Sequence, residues 1–198
     1  MNILITAFDP FGGERINPAL EAMALLPDRV GEHVLHKLTV PTVFGVSAEL
    51  AVAAMDRLRP GAVLCVGQAA GRRALSVERV AINLMDARID DNAGKRPVDE
   101  PVASGGPAAY FSTLPVKAMA QAIRDAGLAG EVSYTAGTFV CNSLLYRVLH
   151  HAAHRMPDTR CAFIHVPCVP EQAAGRPDMP SMPLADIVRG LTAAIGAV

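Results

Sequence analysis

The chain has 198 residues, of which 51% are hydrophobic, and 18 Lys and Arg residues nearly balance 19 Asp and Glu residues to give a net charge of -1. This size and apolar content suit one hydrophobic core, so we expect a single domain over residues 1–198. The sequence has no basic block and only 5% aromatic residues. These features argue against nucleic-acid binding and favour small neutral or weakly charged substrates.

The N-terminal residues and the cysteines both bear on the compartment. Residues 1–5 are apolar but lack a basic segment and meet Asp9 and Pro10 too soon for a signal peptide, and no apolar run is long enough to span a bilayer. A chain of this length does not need disulfides as staples. We therefore expect a cytoplasmic protein, without a membrane partner, whose thiols are reduced: Cys65, Cys141, Cys161 and Cys168.

The first predicted unit is a strand, a loop and a helix. Residues 2–8 form the apolar run of a buried strand, and Asn17 before Pro18 is typical of a helix cap followed by proline in the first turn. The glycines of the loop match neither common phosphate-binding motif, so a phosphate cradle is a weak alternative. Phe8 suits the core. Phe11, between proline and glycine, suits the aromatic wall of a pocket as well as it suits the core.

The next elements predict a second strand at residues 33–40, a helix at 47–58 and a strand buried on both faces at 61–67. The last of these places Cys65 in the core. Gln68 opens the loop that follows. Because open α/β sheets bind ligands at the carboxyl ends of their strands, Gln68 is a candidate binding residue.

Glu78 lies among apolar positions in the alternating segment 75–84, which is unusual for a carboxylate. Two interpretations are open. Glu78 either points outward and pairs with Arg79 or Arg72, the commoner outcome, or it orients a buried histidine. The polar segment 85–107 that follows predicts a long loop, of the kind that forms lids, binding loops or subunit contacts.

A cysteine follows the next helix and strand, predicted at residues 115–126 and 132–135. Thr138 occupies the place of an N-cap hydroxyl, so that Cys141 lies in the first turn of a new helix. Unpaired N–H groups there favour the thiolate, which attacks carbonyl groups, and can hold the resulting oxyanion. Simple packing of Cys141 in the core is the alternative.

The candidate base is His165, near the end of a buried strand predicted at residues 160–167. The histidines that follow Cys141 on its own helix are too distant, since His151 lies ten residues on and roughly 15 Å along the axis. His165 ends its strand on the face where the Gln68 loop emerges, although a lone strand histidine is more often structural. A last helix is predicted at residues 183–195.

Two other chemistries have weaker signals. Cys161, His165 and Cys168 form a C-x3-H-x2-C spacing, but paired C-x2-C knuckles and a fourth obvious ligand for a metal are missing. Residues 45–49 lack the second glycine of the serine hydrolase motif G-x-S-x-G. The alternation of strands and helices predicts an α/β fold with a mostly parallel central sheet and helices on both faces, without repeats or linkers.

A series of motifs runs along nearly the whole chain, at residues 8–13, 17–18, 66–68, 71–72, 78–83, 90–101, 137–142 and 163–167. Together they resemble the pyroglutamyl peptidase type I family, also called pyrrolidone carboxyl peptidases, which are cysteine peptidases that remove N-terminal pyroglutamate. The series is far more specific than any single motif. One departure is Ala7, where the family pattern has glycine, and it concerns backbone room in the first loop.

The resemblance implies a three-layer α/β/α sandwich, a homotetramer built as a dimer of dimers, peptide substrates, and no metal or cofactor. It places the nucleophile, base and orienting acid on Cys141, His165 and Glu78, with Arg88 assisting the oxyanion site. The pyroglutamyl ring would lie between Phe11 and Phe139, in a pocket completed by Phe8, Gln68 and Val140. The rival interpretation is a non-catalytic or phosphorylase-like α/β protein that binds a small metabolite at the strand ends, with Cys141 merely packed.

Overall fold

Strands and helices alternate in the computed structural model, which describes all of residues 1–198. In chain order the elements are β1 (Asn2–Phe8), α1 (Pro18–Leu25), β2 (Arg29–Val30), β3 (His33–Val40), α2 (Val46–Leu58), β4 (Ala62–Gln68), β5 (Leu75–Glu78), β6 (Val80–Ile82), β7 (Ala109–Phe111), α3 (Val116–Asp125), β8 (Gly130–Ser133), α4 (Val140–Arg155), β9 (Arg160–Val166), α5 (Pro170–Ala173) and α6 (Leu184–Gly196). None of the helices has the length and apolar character needed to cross a membrane.

The main sheet has 7 strands in the order β2-β3-β1-β4-β9-β5-β8. The strands β3, β1, β4 and β9 are parallel neighbours, and β5 and β8 are parallel to each other. Two contacts are antiparallel: β2 with β3 at one edge, and β5 with β9 inside the sheet. The predicted mostly parallel sheet is therefore confirmed, with one internal reversal next to β9.

Helices cover both faces of this sheet, as a three-layer α/β/α sandwich requires. Ile3 and Ile5 of β1 point into a core shared with α1, α3 and α6, whereas Leu4 between them points into a second core shared with α2 and α4. Successive strand side chains point to opposite faces, which explains the division. Every residue of β4 is buried, as its continuous apolar sequence predicts.

Local signals start and stop several elements as expected. The Asn17 side chain accepts a hydrogen bond from the N–H of Ala19 (3.0 Å), and Pro18 takes the first helical position. The same Asn17 amide donates to the carbonyl of Asp9 (3.1 Å), which ties α1 to the first loop. Helix α2 ends at Leu58, with Arg59 in the left-handed conformation before Pro60.

Other elements differ from the sequence-based prediction. Residues 75–84 form two strands, because the chain leaves the main sheet after Glu78 and pairs β6 with β7 in a separate small sheet. The short elements β7 and α5 were not predicted, and the strand expected at 132–135 begins two residues earlier. The long loop is present, and Asn83 organises it by donating to the carbonyl of Ala103 (2.9 Å) and accepting from its N–H (2.8 Å).

Candidate active site

A cavity of about 710 Å³ opens at the carboxyl ends of β1, β4 and β9, the edge where parallel sheets usually bind ligands. Most of the side chains selected from the sequence line it: Phe8, Phe11, Gln68, Arg88, Phe139, Cys141 and His165. Glu78 and Val140 are not part of the lining. Both are fully buried, Glu78 behind His165 and Val140 in the core shared with α2 and α4.

Glu78 and His165 form a buried hydrogen-bonded pair. The Nδ1 atom of His165 lies 2.7 Å from Oε1 of Glu78, and the two residues are 3% and 0% exposed. They come together because β5 runs antiparallel to β9, with Ser76 opposite His165 and Glu78 opposite Phe163. Glu78 thus has the inward orientation, facing a buried histidine.

Glu78 also pairs with Arg72, one of the two expected arginine partners, but the outward orientation expected with that pair is wrong because Glu78 is fully buried. The Nη2 atom of Arg72 lies 3.0 Å from the same Oε1 oxygen and donates to the carbonyl of Thr135 (2.9 Å). Arg79 points elsewhere, with its guanidinium 5.0 Å above the ring of Phe111. Glu78 is therefore held from two sides, by an imidazole and by a guanidinium.

Cys141 is the second residue of α4, as the first-turn prediction requires. The expected cap at Thr138 is wrong, because the N-cap is Phe139 and it makes no side-chain cap. The Thr138 hydroxyl donates instead to the carbonyl of Asp86 (2.7 Å), which fastens the long loop to the start of α4. The first-turn N–H groups of α4 are thus left without a side-chain acceptor.

Gly67 explains how the thiol reaches the strand beside His165. Gly67 is the register partner of His165 across β4 and β9. A Cβ atom on Gly67 would lie 3.1 Å from Sγ of Cys141 and 2.7 Å from the ring of Phe163. A side chain at this position would occupy the space that the thiol uses. Because Gly67 has no side chain, α4 can place Cys141 directly over β4, the strand next to His165.

The surroundings of Cys141 and His165 favour the neutral form of both side chains. Burial, followed by the charge of Glu78, raises the pKa of the Cys141 thiol to about 12, although Arg72 and the N–H of Cys141 act in the opposite direction. Burial also lowers the pKa of His165, against the effect of its hydrogen bond with Glu78. The helix start does favour the thiolate, as expected from sequence, but burial outweighs it.

Aromatic rings form one wall of the cavity. Phe11 and Phe139 have ring centroids 6.4 Å apart and planes tilted by 41°. Phe44, which the sequence did not single out, packs edge-on against Phe139 at 5.2 Å. A ring held between two parallel faces needs about 7 Å between them, because carbon contacts are roughly 3.5 Å long. Phe11 and Phe139 must therefore turn or separate slightly to enclose the pyroglutamyl ring that the sequence resemblance implies.

Gln68 has a fixed orientation at the base of the cavity. Its Nε2 donates to Oε1 of Gln172 (3.0 Å) and to Sγ of Cys168 (3.2 Å). Gln172 lies on the short helix α5, which the sequence did not predict, and is 7% exposed. Arg88 is exposed at the rim of the cavity.

Asn142 and Asp9 were missed as residues that hold the site together. The Asn142 amide donates to the carbonyls of Ile82 (2.9 Å) and Leu84 (3.0 Å) and accepts from the N–H of Ile82, which fixes the start of α4 against β6. Asp9 accepts from the Thr42 hydroxyl and from Asn92 of the long loop. Buried or half-buried amides and carboxylates among apolar residues are the signal that would have found them.

The alternative metal site is not assembled. Nowhere do three or more His, Cys, Asp or Glu side chains form a group that could hold a metal ion. Cys161 lies in the core, with Sγ 4.0 Å from the carbonyl of Val148 on α4, whereas Cys168 contacts Gln68. The C-x3-H-x2-C spacing is therefore a coincidence of a strand and the turn that follows it.

Comparisons with known proteins agree over the full length of the chain. Residues 1–198 match the family model described as pyroglutamyl peptidase. The pyrrolidone-carboxylate peptidase of Levilactobacillus brevis is 56% identical over 198 residues, which cover 100% of this chain and 97% of the relative. The corresponding protein of Staphylococcus carnosus is 54% identical, with 100% and 93% covered.

Solved structures show the same likeness. The crystal structure of Bacillus amyloliquefaciens pyroglutamyl peptidase I aligns with a TM-score of 0.96 and 44% identity, covering 99% of this chain and 95% of that one. A mutant pyrrolidone carboxyl peptidase from Pyrococcus furiosus aligns at 0.94 with 38% identity, covering 100% and 97%. The chain therefore belongs to the pyroglutamyl peptidase family and is a hydrolase of the cysteine peptidase type.

Proposed function

We propose that this protein removes N-terminal pyroglutamate from peptides, with Cys141 as nucleophile, His165 as base and Glu78 as the acid that orients the imidazole. One observation carries the assignment. His165, whose Nδ1 lies 2.7 Å from Oε1 of Glu78, is the register partner of Gly67 on the neighbouring strand, and the Cys141 thiol packs over Gly67. A thiol, an imidazole and a buried carboxylate in this order form a catalytic triad.

The first half of the reaction forms a thioester. Burial raises the pKa of Cys141 and lowers that of His165, which disfavours a thiolate–imidazolium pair before the reaction. The thiol proton therefore passes to His165 only as the sulfur attacks the carbonyl carbon of the pyroglutamyl residue. The first-turn N–H groups of α4 then stabilise the oxyanion, with Arg88 assisting from the rim. Glu78 stabilises the imidazolium, which donates its proton to the departing amine as the C–N bond breaks.

The second half of the reaction releases the product. Water attacks the thioester carbon while His165 accepts a proton from it. The C–S bond then breaks, pyroglutamic acid leaves, and the proton returns to the Cys141 thiol. Side chains of this chain supply every proton transfer, so the scheme requires neither a metal nor a cofactor.

The aromatic cavity suits a compact, uncharged lactam. In this proposal Phe11 and Phe139 enclose the ring after a small separation, and Phe8 closes the pocket from below. Gln68, fixed by Gln172, offers a polar group to the lactam. Val140 contributes through its backbone, since its side chain is fully buried in the core.

We extend the proposal to the whole chain as a single catalytic domain, residues 1–198, that works in the cytoplasm as a homotetramer, a dimer of dimers. Four free cysteines suit a reducing compartment. Val46 and Leu50, one turn apart on the outer face of α2, are 37% and 43% exposed and form an apolar surface for subunit contact. Sedimentation of the purified protein measures the assembly.

A chromogenic pyroglutamyl amide tests the proposed reaction on purified protein. We expect hydrolysis by the wild type and loss of hydrolysis after a thiol alkylator or in Cys141→Ala. Cys161→Ala is the matched control, because Cys161 is buried away from the cavity. A protein that binds the amide but never cleaves it would support the rival interpretation, a non-catalytic binding protein with a packed Cys141.

A further inference from the structure

Arg72 occupies a position that the proposed mechanism does not use. It lies in the loop between β4 and β5, lines the cavity, and has a side chain that is 22% exposed. From there its Nη2 atom reaches Oε1 of Glu78 (3.0 Å) and the carbonyl of Thr135 (2.9 Å). One guanidinium nitrogen thus connects the acid of the triad to the segment that leads into α4.

The two ends of this connection belong to different parts of the site. Glu78 ends β5 and is completely buried. Thr135 follows β8 and, with the residues up to Phe139, forms a wall of the cavity just before Cys141. Since Thr135 contributes only its backbone carbonyl, the contact depends on the side chain at position 72 and on the chain path at 135.

The hydrogen bonding of Glu78 makes the contact with Arg72 important. Its Oε1 atom accepts from both His165 and Arg72, while its Oε2 atom is buried and makes no hydrogen bond. A buried carboxylate is costly unless it is paired and hydrogen-bonded. Without Arg72, His165 would be the sole side-chain partner of the carboxylate, and that one hydrogen bond would have to fix its orientation.

We infer that Arg72 is a positioning residue for the proposed reaction: it fixes Glu78 against His165 and links that pair to the segment preceding the nucleophile. The inference rests on the proposed function, and it assigns Arg72 no contact with the reacting atoms. Arg72 acts through Glu78. A planar guanidinium suits this task, because its N–H groups have fixed directions and its charge is permanent.

The charge of Arg72 has a second consequence, for the protonation of His165. The charged and titratable groups around His165 are Glu78 on β5, Arg72 before β5 and Cys141 on α4, with Asp86 and Arg88 at the cavity rim. Burial and the charge of Arg72 lower the pKa of His165, and Glu78 raises it. Removing Arg72 therefore raises that pKa, so a larger share of the imidazole is protonated and unable to act as a base at a given pH.

The test compares Arg72→Gln with Arg73→Gln, its exposed neighbour, which has no ion pair with Glu78. Hydrolysis of a pyroglutamyl amide is measured across the pH range in which imidazole titrates. We expect Arg72→Gln to lower kcat/KM by roughly 10-fold to 100-fold, the range found for outer partners of metal-site ligands, which act through another residue as Arg72 does. We also expect the acid limb of the profile to move to higher pH, while Arg73→Gln keeps the wild-type profile.

Arg72→Lys covers the case in which Arg72→Gln does not fold. It retains the charge but loses the planar geometry, so we expect a smaller loss of kcat/KM with an acid limb close to that of the wild type. If the Arg72→Gln and Arg72→Lys proteins fold and keep the wild-type kcat/KM and acid limb while Glu78→Gln is impaired, Arg72 is not a positioning residue. In that case the proposed function still stands.

Failure of the proposed function has a different signature. If the wild type cleaves no pyroglutamyl amide, the imidazole of His165 is titrated by NMR in the wild type, Arg72→Gln and Arg73→Gln, with His165→Asn used to assign the signal. A higher pKa in Arg72→Gln alone supports the inference about Arg72. The same titration curve in all three proteins overturns it.

Discussion

The proposed catalytic side chains and the proposed substrate pocket are held by two different kinds of structure. Glu78 and His165 lie on adjacent strands of the main sheet and are almost completely buried. Phe11 and Phe139 lie in segments between elements, are partly exposed, and meet at a tilt of 41°. The sheet allows the first pair one arrangement, whereas the rings can turn. We therefore expect all-or-none effects from the sheet residues and graded effects from the pocket.

The largest effects should come from the triad. We expect Cys141→Ala and His165→Ala each to lower kcat by about 10⁶-fold and Glu78→Gln by about 10⁴-fold, the losses typical of triads, in proteins that remain folded. A double variant of Cys141 and His165 should be no worse than either single variant, because the residues act as a unit. Steady-state kinetics of the purified variants measure this. Independent, multiplying losses would show that these residues do not form one catalytic set.

Selectivity should give the next largest effect and tests the pocket alone. A site that hydrogen-bonds a lactam leaves those groups unpaired when proline binds, so we expect kcat/KM for a prolyl amide to be roughly 10⁴-fold lower. A glutamyl amide should be equally poor, because it brings unpaired charges into an aromatic cavity. Phe139→Ala should reduce cleavage of the pyroglutamyl amide without improving the other two. Comparable kcat/KM values for pyroglutamyl and prolyl amides would refute a lactam pocket.

Gly67→Ala tests whether the sheet tolerates any added atom beside the triad. The new Cβ would meet the Phe163 ring at 2.7 Å and Sγ of Cys141 at 3.1 Å. We expect a stability loss of about 1–3 kcal/mol from overpacking and roughly a 10²-fold drop in kcat from displacement of the thiol. Gly196→Ala is the control, since nothing lies within 4 Å of an added Cβ there. Denaturant unfolding and kinetics give the two readouts, and a fully active Gly67→Ala would mean that the thiol does not depend on this space.

The smallest expected effect is the shift that the lowered pKa of His165 produces in the pH profile of the wild type. Burial lowers the pKa of His165, so the neutral base persists to lower pH than in an ordinary histidine. The acid limb of kcat/KM should accordingly lie below roughly 6.5. The same shift predicts that His165 contributes to a loss of stability as pH falls below that value, because the unfolded chain then binds the proton more readily. A limb above the ordinary histidine value would contradict a buried neutral base.

The structure also shows which parts of the site a sequence pattern can predict. Asn17 and Pro18 predicted the start of α1, and the position of Cys141 in the first turn of α4 followed from apolar spacing. Thr138 is not the cap because α4 begins one residue later than expected, with Phe139 at the N-cap, and the Thr138 hydroxyl donates to the carbonyl of Asp86, from a loop 52 residues away. Propensity and spacing describe only neighbours along the chain, so they cannot predict a hydrogen bond between residues that far apart in sequence.

By itself the sequence determined the alternation of strands and helices, the covered parallel strand β4, and the resemblance that assigned roles to Glu78, Cys141 and His165. These depend on periodicity, caps and motif order, all of which are local or linear. The tertiary structure alone decided that β5 reverses beside β9 and thereby places Glu78 against His165, 87 residues further along the chain. It also decided that Arg72 shares that carboxylate and that burial outweighs the helix start at Cys141. Strand order and loss of water are properties of the packed molecule, because they arise only when distant segments meet.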